Sequence, residues 1–593
     1  MDSPTAETEE RARLLSTLSQ FSGTVKPGEL LGIMGASGAG KTTLLNILTG
    51  RKQSNLSVSG SVLINGENIG DKVKSISSYV QQQDLFIGNL TVREHLMCQA
   101  ALRMGSKYTY QQRSERINEV VLDLGLSSCA DSKIGSDFAG GRGKSISGGE
   151  RKRLSFASEL LTNPPLIFCD EPTSGLDSYM AQQVVQVLNE LAGQGRTIIT
   201  TIHQPSSQVF AYFNKICLLA EGRVIFFGLA KQAVTFFEKC GYPCPKNYNP
   251  ADHYIRTLAV KPGKEKSCKT RIKKLATSYE NDILPETINK IEETTMPVDH
   301  TLSSKLSRRH PARWYLQFTT LMKRSWLSAS REPFLVQVRF GQTVLISLIL
   351  GLVYFQTKVN NLSIQNVNGV LFQLVTAMTF SYVFTSISLF CRELPIYLRE
   401  QGSRLYQTDV YFLSKTLAEL PQFIMFPVLF TTILYWMAGL PADAGTFFTC
   451  MLITTVTANL GASLGYMVSA IGGNETFASV ISPVLVIPFM LFGGFFINKE
   501  SVPVWLSWFQ YLSYIRYCYE AHVVNIWKNI ESIPGCEGNN STCPRTGLEV
   551  IDSFNFDPNA LWPDISIVIA MLIGYRLIAY LALLIRGWKQ AVN

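Results

Sequence analysis

Beyond Phe334 the chain carries six apolar stretches with few charges, at about 338–356, 367–390, 418–440, 445–471, 477–497 and 565–585. Each is near or above the roughly 17 to 25 residues that a helix needs to cross a bilayer, so the back half reads as an all-α six-helix transmembrane domain. At 593 residues the chain is too long for one hydrophobic core, and the charged sequence up to about residue 310 forms a separate part. An even number of spans puts both termini on one side. The first residues are polar and acidic, with no signal peptide, which predicts that this side is the cytosol. Lys323, Arg324, Arg331, Arg392, Arg399, Arg404, Lys415, Arg586 and Lys589 flank spans on that inner side. The formal charge of +9 is therefore read as membrane topology, and no nucleic-acid partner is expected.

From Arg313 to Arg331, Trp314, Phe318, Leu321, Met322 and Trp326 recur at helical spacing between basic residues, the pattern of an amphipathic helix at a membrane surface. The loop 498–564 holds eight acidic and four basic residues and is assigned to the outside. It contains the sequons Asn539-Asn540-Ser541 and Asn540-Ser541-Thr542, with Cys536 and Cys543 close enough to pair, so an oxidised, glycosylated external loop is expected. Asn474-Glu475-Thr476 also matches a sequon but falls on the inner side. Residues 261–312, rich in Lys, Glu, Ser and Thr with little periodicity, read as a mobile cytosolic linker. The expected domains are thus 1–260, the linker 261–312, and the membrane part 313–593.

In the front half, Gly35-Ala36-Ser37-Gly38-Ala39-Gly40-Lys41-Thr42-Thr43 fits the pattern GxxxxGK[ST] without substitution. Leu30 to Met34 reads as a buried strand before it, and Thr42 to Gly50 as a helix beginning after it. Such a loop offers backbone N–H groups and the positive end of a helix to an anion. Its glycines and alanines let the backbone come close, Lys41 reaches the β- and γ-phosphates, and the Thr42 hydroxyl can complete a Mg²⁺ shell. Lys26-Pro27-Gly28 marks a turn into this strand, and Val62-Leu63-Ile64-Asn65-Gly66 suggests another strand ending in a turn. Seven of the twelve cysteines lie in this half without paired metal-ligand spacing and read as reduced, structural thiols.

Five further signals follow in order. Gln82, at the end of a strand near Tyr79, can hold Mg²⁺ or the attacking water, and a surface polar turn has the same sequence signature. Ser147-Gly148-Gly149-Glu150 precedes an amphipathic helix and makes a second phosphate-binding helix N-terminus. Leu166-Ile167-Phe168-Cys169-Asp170-Glu171 is an apolar strand ending in two carboxylates. Asp170 is expected to hold Mg²⁺ and Glu171 to act as general base. Ser174-Gly175-Leu176-Asp177 comes next, and His203 ends the buried strand Ile198 to Ile202, where it is assigned to the γ-phosphate.

These motifs, in this order and spacing, resemble an ATP-binding cassette (ABC) ATPase. The resemblance implies an α/β P-loop ATPase domain of the ABC type, with ATP and Mg²⁺ as cofactors. In that family the phosphate loop of one domain faces the signature of another, so Ser147, Gly148, Gly149 and Glu150 would serve the partner's ATP, and a single domain is half of a machine. One departure stands out. The family places an aromatic upstream of the phosphate loop to stack on adenine, and residues 1–26 are too short and too poor in aromatics to supply it, Phe21 lying too close to the loop. Either the chain is N-terminally shortened or adenine binding is weakened.

With the ATPase first and six spans after, the chain is similar to the G subfamily of ABC transporters. Cys169 to Asp177, Asn249-Pro250-Ala251-Asp252 and the long last external loop carry this likeness. The segments Tyr411 to Pro421, Pro488 to Phe496 and Ser501 to Val504 look like the subfamily's insect eye-pigment transporters. The resemblance implies a half-transporter with a second half-transporter as partner, a heterodimer or a homodimer, in the plasma membrane or a vesicle membrane. Phe380 and Phe384 on the second span, with Ile487 and Met490 on the fifth, would line a cavity for a small aromatic molecule, a purine or tryptophan derivative. Phe495 and Phe496 stand where relatives have a bulky plug, Glu400 where the coupling segment begins, and Arg576 marks a functional contact, a snorkelling charge or an interhelical bond. The rival expectations are a sterol or lipid exporter, and an ATP-binding regulatory or channel-like membrane protein with little turnover.

Overall fold

The structure, a computed structural model, describes residues 21–51, 57–135, 145–294, 312–358, 360–497, 502–534 and 544–592. They fall into two compact units, one running to Gln317 and the other made mainly of Phe318–Gly402 and Tyr406–Ala591.

In the first unit, β1 (Leu30–Gly35), β2 (Ser77–Val80), β3 (Leu166–Cys169), β4 (Thr197–Ile202), β5 (Lys215–Ala220) and β6 (Arg223–Leu229) form one sheet in the order β2-β3-β4-β1-β5-β6. Only β6 runs antiparallel to its neighbour. A parallel sheet is covered on both faces, which is why its central strands are continuous apolar runs rather than alternating ones. All six residues of β1 are buried. The register sets Met34 beside Ile202, Cys169 beside Thr200 and Val80 beside Cys169. The loops that follow β1, β2, β3 and β4 therefore leave the sheet from one edge, the carboxyl end where α/β proteins bind ligands.

Helices α1 (Lys41–Leu48), α2 (Val92–Arg103), α3 (Tyr110–Asp123), α4 (Gly148–Leu160) and α5 (Ser178–Gly193) belong to this unit. Capping boxes start α2 at Thr91 and Glu94, α3 at Thr109 and Gln112, and α4 at Ser147 and Glu150. Asp177 caps α5 through Oδ1, which accepts the Met180 N–H at 2.9 Å. Each such cap contributes about 1 kcal/mol.

Two expectations are corrected here. Val62 to Gly66 is not a strand: Ile64 pairs only with Glu67 across a tight turn, and Leu63 is 44% exposed. Residues 265–294 are not structureless linker, because Glu265–Asp282 and Leu284–Thr294 are helices. Cys268, Ile272, Leu275, Ala276 and Tyr279 are buried at helical spacing, and the first helix packs on β6. Residues 295–311 of the expected linker lie outside the described residues.

The second unit contains most of α6 (Trp314–Ser330), then α7 (Pro333–Val353), α8 (Ile364–Gly402), α9 (Thr408–Ala438), α10 (Ala444–Gly472), α11 (Glu475–Leu491), α12 (Tyr514–Trp527) and α13 (Leu561–Val592). Five of these, α7, α8, α9, α10 and α13, are long and apolar enough to cross a bilayer. The stretch expected at 477–497 is shorter as a helix, 17 residues ending at Leu491. Gly493 and Gly494 follow, the latter at φ 88, a conformation that stops a helix. Arg392, Arg399 and Lys415 lie within α8 and α9, whose helical stems outrun their apolar stretches.

Small residues hold α8 against α10. A Cβ on Gly461 would meet the Thr379 carbonyl at 3.2 Å and one on Gly465 the Val383 carbonyl at 2.7 Å. Such close backbone approach is how helices associate where lipid offers no hydrophobic drive. Arg576 resolves to an interhelical bond, its Nε donating to Ser463 Oγ at 3.0 Å. The loop expected outside is largely packed structure: in α12, Trp527 Nε1 donates to Asn368 Oδ1 and Asn525 Nδ2 to the Thr446 carbonyl, both at 2.8 Å. The sequons at Asn539 and Asn540, with Cys536 and Cys543, lie outside the described residues.

Candidate functional site

The phosphate loop forms because β1 ends in Gly35, where a Cβ would stand 2.3 Å from the Leu219 carbonyl, and because Gly40 caps α1 in the left-handed region at φ 99. Only glycine fits both positions without strain. Lys41 opens α1 and is buried, with 6% exposure. Its Nζ donates to the carbonyls of Gly35 at 3.0 Å and Ala36 at 3.2 Å, so the lysine folds back along the loop its backbone lines. Burial lowers the Lys41 pKa below its ordinary value, against the pull of Glu171 and Asp170. A buried ammonium beside a ring of N–H groups is a site for a strongly anionic phosphate.

Asp170 follows β3 and gathers three hydroxyls. Its Oδ1 accepts from Thr42 Oγ1 at 3.2 Å and Thr201 Oγ1 at 2.7 Å, and its Oδ2 from the Tyr79 hydroxyl at 3.3 Å. Burial pushes the Tyr79 phenol above its ordinary pKa, keeping it a proton donor, and the Arg51 guanidinium lies 3.8 Å over its ring. Glu171 adopts φ 42, rare for a residue with a Cβ, and its N–H is held by Thr201 Oγ1 at 2.8 Å. The unusual backbone turns the Glu171 carboxylate back over the site. Its Oε2 accepts from Gln82 Nε2 at 2.8 Å, and its Oε1 lies 4.0 Å from Lys41 Nζ. The structure thus joins Lys41, Thr42, Gln82, Asp170 and Glu171 in one network.

The signature stands on a different element. Ser147 Oγ accepts the Glu150 N–H at 3.2 Å while Glu150 Oε2 accepts the Ser147 N–H at 2.8 Å, which fixes the first turn of α4. Burial alone would raise the Glu150 pKa, but the Ser147 backbone and hydroxyl outweigh it and lower it. Ser147 and Gly148 are exposed. His203 directly follows β4, on the edge that carries the phosphate loop, and is also exposed.

Residues the sequence did not single out complete the network. Thr201 and Tyr79 orient Asp170. Lys152, with 2% exposure, donates through Nζ to the carbonyl of Gln82 at 2.8 Å, to that of Gln81 at 3.3 Å and to Asp84 Oδ1 at 3.2 Å. A threonine in a buried strand and a lysine in a basic helix carry no local signal of such roles. Phe21, considered for adenine, instead packs edge-on against Phe227 with ring centroids 5.7 Å apart.

In the second unit, α8 and α11 pack together. Phe384 on α8 is 38% exposed and Ile487 on α11 is 44% exposed, while Phe380 and Met490 are half-buried. Phe495 stacks on Phe372 at 4.5 Å, and Phe496 meets the same ring edge-on. Glu400 is buried, its two carboxylate oxygens accepting from Arg324 Nη1 at 2.8 and 2.9 Å and one of them also from the Tyr406 hydroxyl. Helix α6 is thereby clamped to the end of α8.

A phosphate loop wired to paired carboxylates, in a chain with five bilayer-length helices among its described residues, defines an integral membrane protein driven by ATP hydrolysis. The comparisons agree. The chain matches the ABC transporter family over residues 18–174 and the ABC-2 type transporter families over residues 203–279 and 316–527. It is 45% identical to Protein white of Drosophila melanogaster, over 97% of this chain and 84% of that one. It is 43% identical to the ABC transporter ATP-binding protein/permease wht-1 of Caenorhabditis elegans, over 98% and 89%. ABC transporter G family member 21 of Arabidopsis thaliana is 35% identical over 95% and 85%. The chain belongs to the G subfamily of ABC transporters, as a half-transporter with an ATPase coupled to its membrane domain.

Proposed function

We propose that this half-transporter pairs with a different half-transporter and moves small aromatic or amphipathic molecules, pigment precursors such as purine or tryptophan derivatives, across a plasma or vesicle membrane. The observation that carries the reading is the Lys41, Thr42, Gln82, Asp170 and Glu171 network at one sheet edge, in a chain akin to white proteins over nearly its whole length. Uncovered apolar side chains at Phe384 and Ile487 support an aromatic cargo. Both termini are assigned to the cytosol.

The residues divide the work. The loop N–H groups and Lys41 bind the β- and γ-phosphates, and His203 contacts the γ-phosphate. The oxygens of Thr42, Asp170 and Gln82 suit a hard cation and would hold Mg²⁺, which neutralises charge on the phosphate oxygens. Glu171 takes a proton from the attacking water, whose oxygen bonds the γ-phosphorus as the bond to the β-phosphate oxygen breaks. Gln82 fixes the second carboxylate oxygen so that the first stays aimed at the water. The exposed Ser147 and Gly148, with Gly149 and Glu150, bind the ATP of the partner, which makes closure of the pair a condition of turnover.

The test is ATPase activity in lipid vesicles, alone and with candidate half-transporters. Activity that requires a partner and rises with a purine or tryptophan derivative supports the reading. Activity of the chain alone, raised by sterol, identifies a homodimeric lipid exporter instead.

A further inference from the structure

Lys152 is two residues beyond the signature, yet its ammonium points into the sheet edge, not toward the face that Ser147 and Gly148 expose. Burying an ammonium is costly unless its three protons are taken up. Here the carbonyls of Gln81 and Gln82 and the carboxylate of Asp84 take all three. The backbone of the Gln82 loop is thus fastened to α4, and the Gln82 side chain is fastened to Glu171 at 2.8 Å. α4 also packs on β2, the strand that leads into this loop.

We propose that Lys152 is a positioning residue for hydrolysis: by holding the Gln82 carbonyl to the signature helix, it sets where the Gln82 amide meets the general base. It rests on the roles given above to Gln82 and Glu171, and it adds a regulatory consequence. α4 begins with the residues assigned to the partner's nucleotide, so a shift of α4 on nucleotide capture moves the Gln82 loop through Lys152. One composite site thereby reports its occupancy to the base of the other. A lysine that merely filled space would not couple to Gln82.

A double-mutant cycle decides this, run on the full-length chain co-purified with its partner in lipid vesicles. K152M, Q82A and the pair K152M/Q82A are compared with wild type, and E171Q marks the floor. The expected result is a fall in kcat of about tenfold for K152M with KM for ATP nearly unchanged, substantial recovery in K152R, and no further loss when K152M is added to Q82A. Losses that multiply in the double variant, or a raised KM at unchanged kcat, overturn the proposal. Should K152M fail to fold, the cycle is run with K152Q, which also removes the ammonium, and independence from Q82A again overturns it. A turnover for E171Q equal to wild type would instead defeat the assignment of the base, an outcome distinct from additivity in the cycle.

Discussion

Thr201 Oγ1 donates to Asp170 Oδ1 at 2.7 Å. The same oxygen accepts the N–H of Glu171 at 2.8 Å, so one hydroxyl on β4 sets both the Asp170 carboxylate and the backbone of Glu171, the two residues that follow β3. Thr201 is fully buried, and water cannot replace it. Thr201→Val keeps the volume and removes both bonds, leaving the Glu171 N–H unpaired at a cost of roughly 1–3 kcal/mol. ATP turnover is expected to fall about tenfold or more, with nucleotide binding within about twofold of wild type. Steady-state kcat and a fluorescent-nucleotide Kd check it, and unchanged turnover would remove Thr201 from the site.

Glu171→Gln keeps the shape of the base and its contact with Gln82 but cannot take a proton. Turnover is expected to fall on the order of a hundredfold to ten-thousandfold. ATP binding persists, because Lys41 and the loop N–H groups are untouched. Trapping of labelled ATP in the variant, measured beside phosphate release, separates the two effects, and loss of binding would argue that Glu171 is structural.

Arg324 and Glu400 form a buried pair, with side chains 5% and 3% exposed. Removing one partner leaves a charge without its counterion, at roughly 3–5 kcal/mol. Glu400→Leu alone should lower the thermal unfolding midpoint of the detergent-solubilised protein more than Glu400→Leu combined with Arg324→Met. A double variant that is the less stable of the two would contradict the pairing.

Gly465→Leu drives a side chain into the Val383 carbonyl, 2.7 Å from the first added carbon. α8 and α10 must then separate, with a penalty of about 1–3 kcal/mol or more. The variant is expected to lose surface-resistant, monodisperse protein on extraction, whereas Gly341→Leu, where a Cβ meets nothing within 4 Å, should not. Size-exclusion profiles of both variants give the answer.

What the sequence made legible was local. The phosphate loop, the signature and the two carboxylates each lie within a few consecutive residues, and their chemistry follows from type and spacing. Thr201 and Lys152 were illegible because their contacts join residues 31 and 70 positions away. The apolar spans were found by hydropathy, but their ends were not, since α8 and α9 carry Glu393, Lys415 and Glu419 as mutually paired charges inside helices. The helix at 265–282 was missed because its five buried residues are scattered among Lys, Glu and Thr. Val62 to Gly66 misled in the other direction, a short apolar run that no neighbouring strand covers.

The most direct test of the central claim is ATP-dependent movement of labelled tryptophan derivatives and guanine in sealed vesicles containing this chain and a candidate partner, against the same vesicles with Glu171→Gln. Accumulation that needs ATP, the partner and Glu171, and that competing aromatic precursors reduce, is the expected result. Vesicles that hydrolyse ATP through Glu171 but move only a labelled sterol, or no aromatic cargo with any partner, would contradict it.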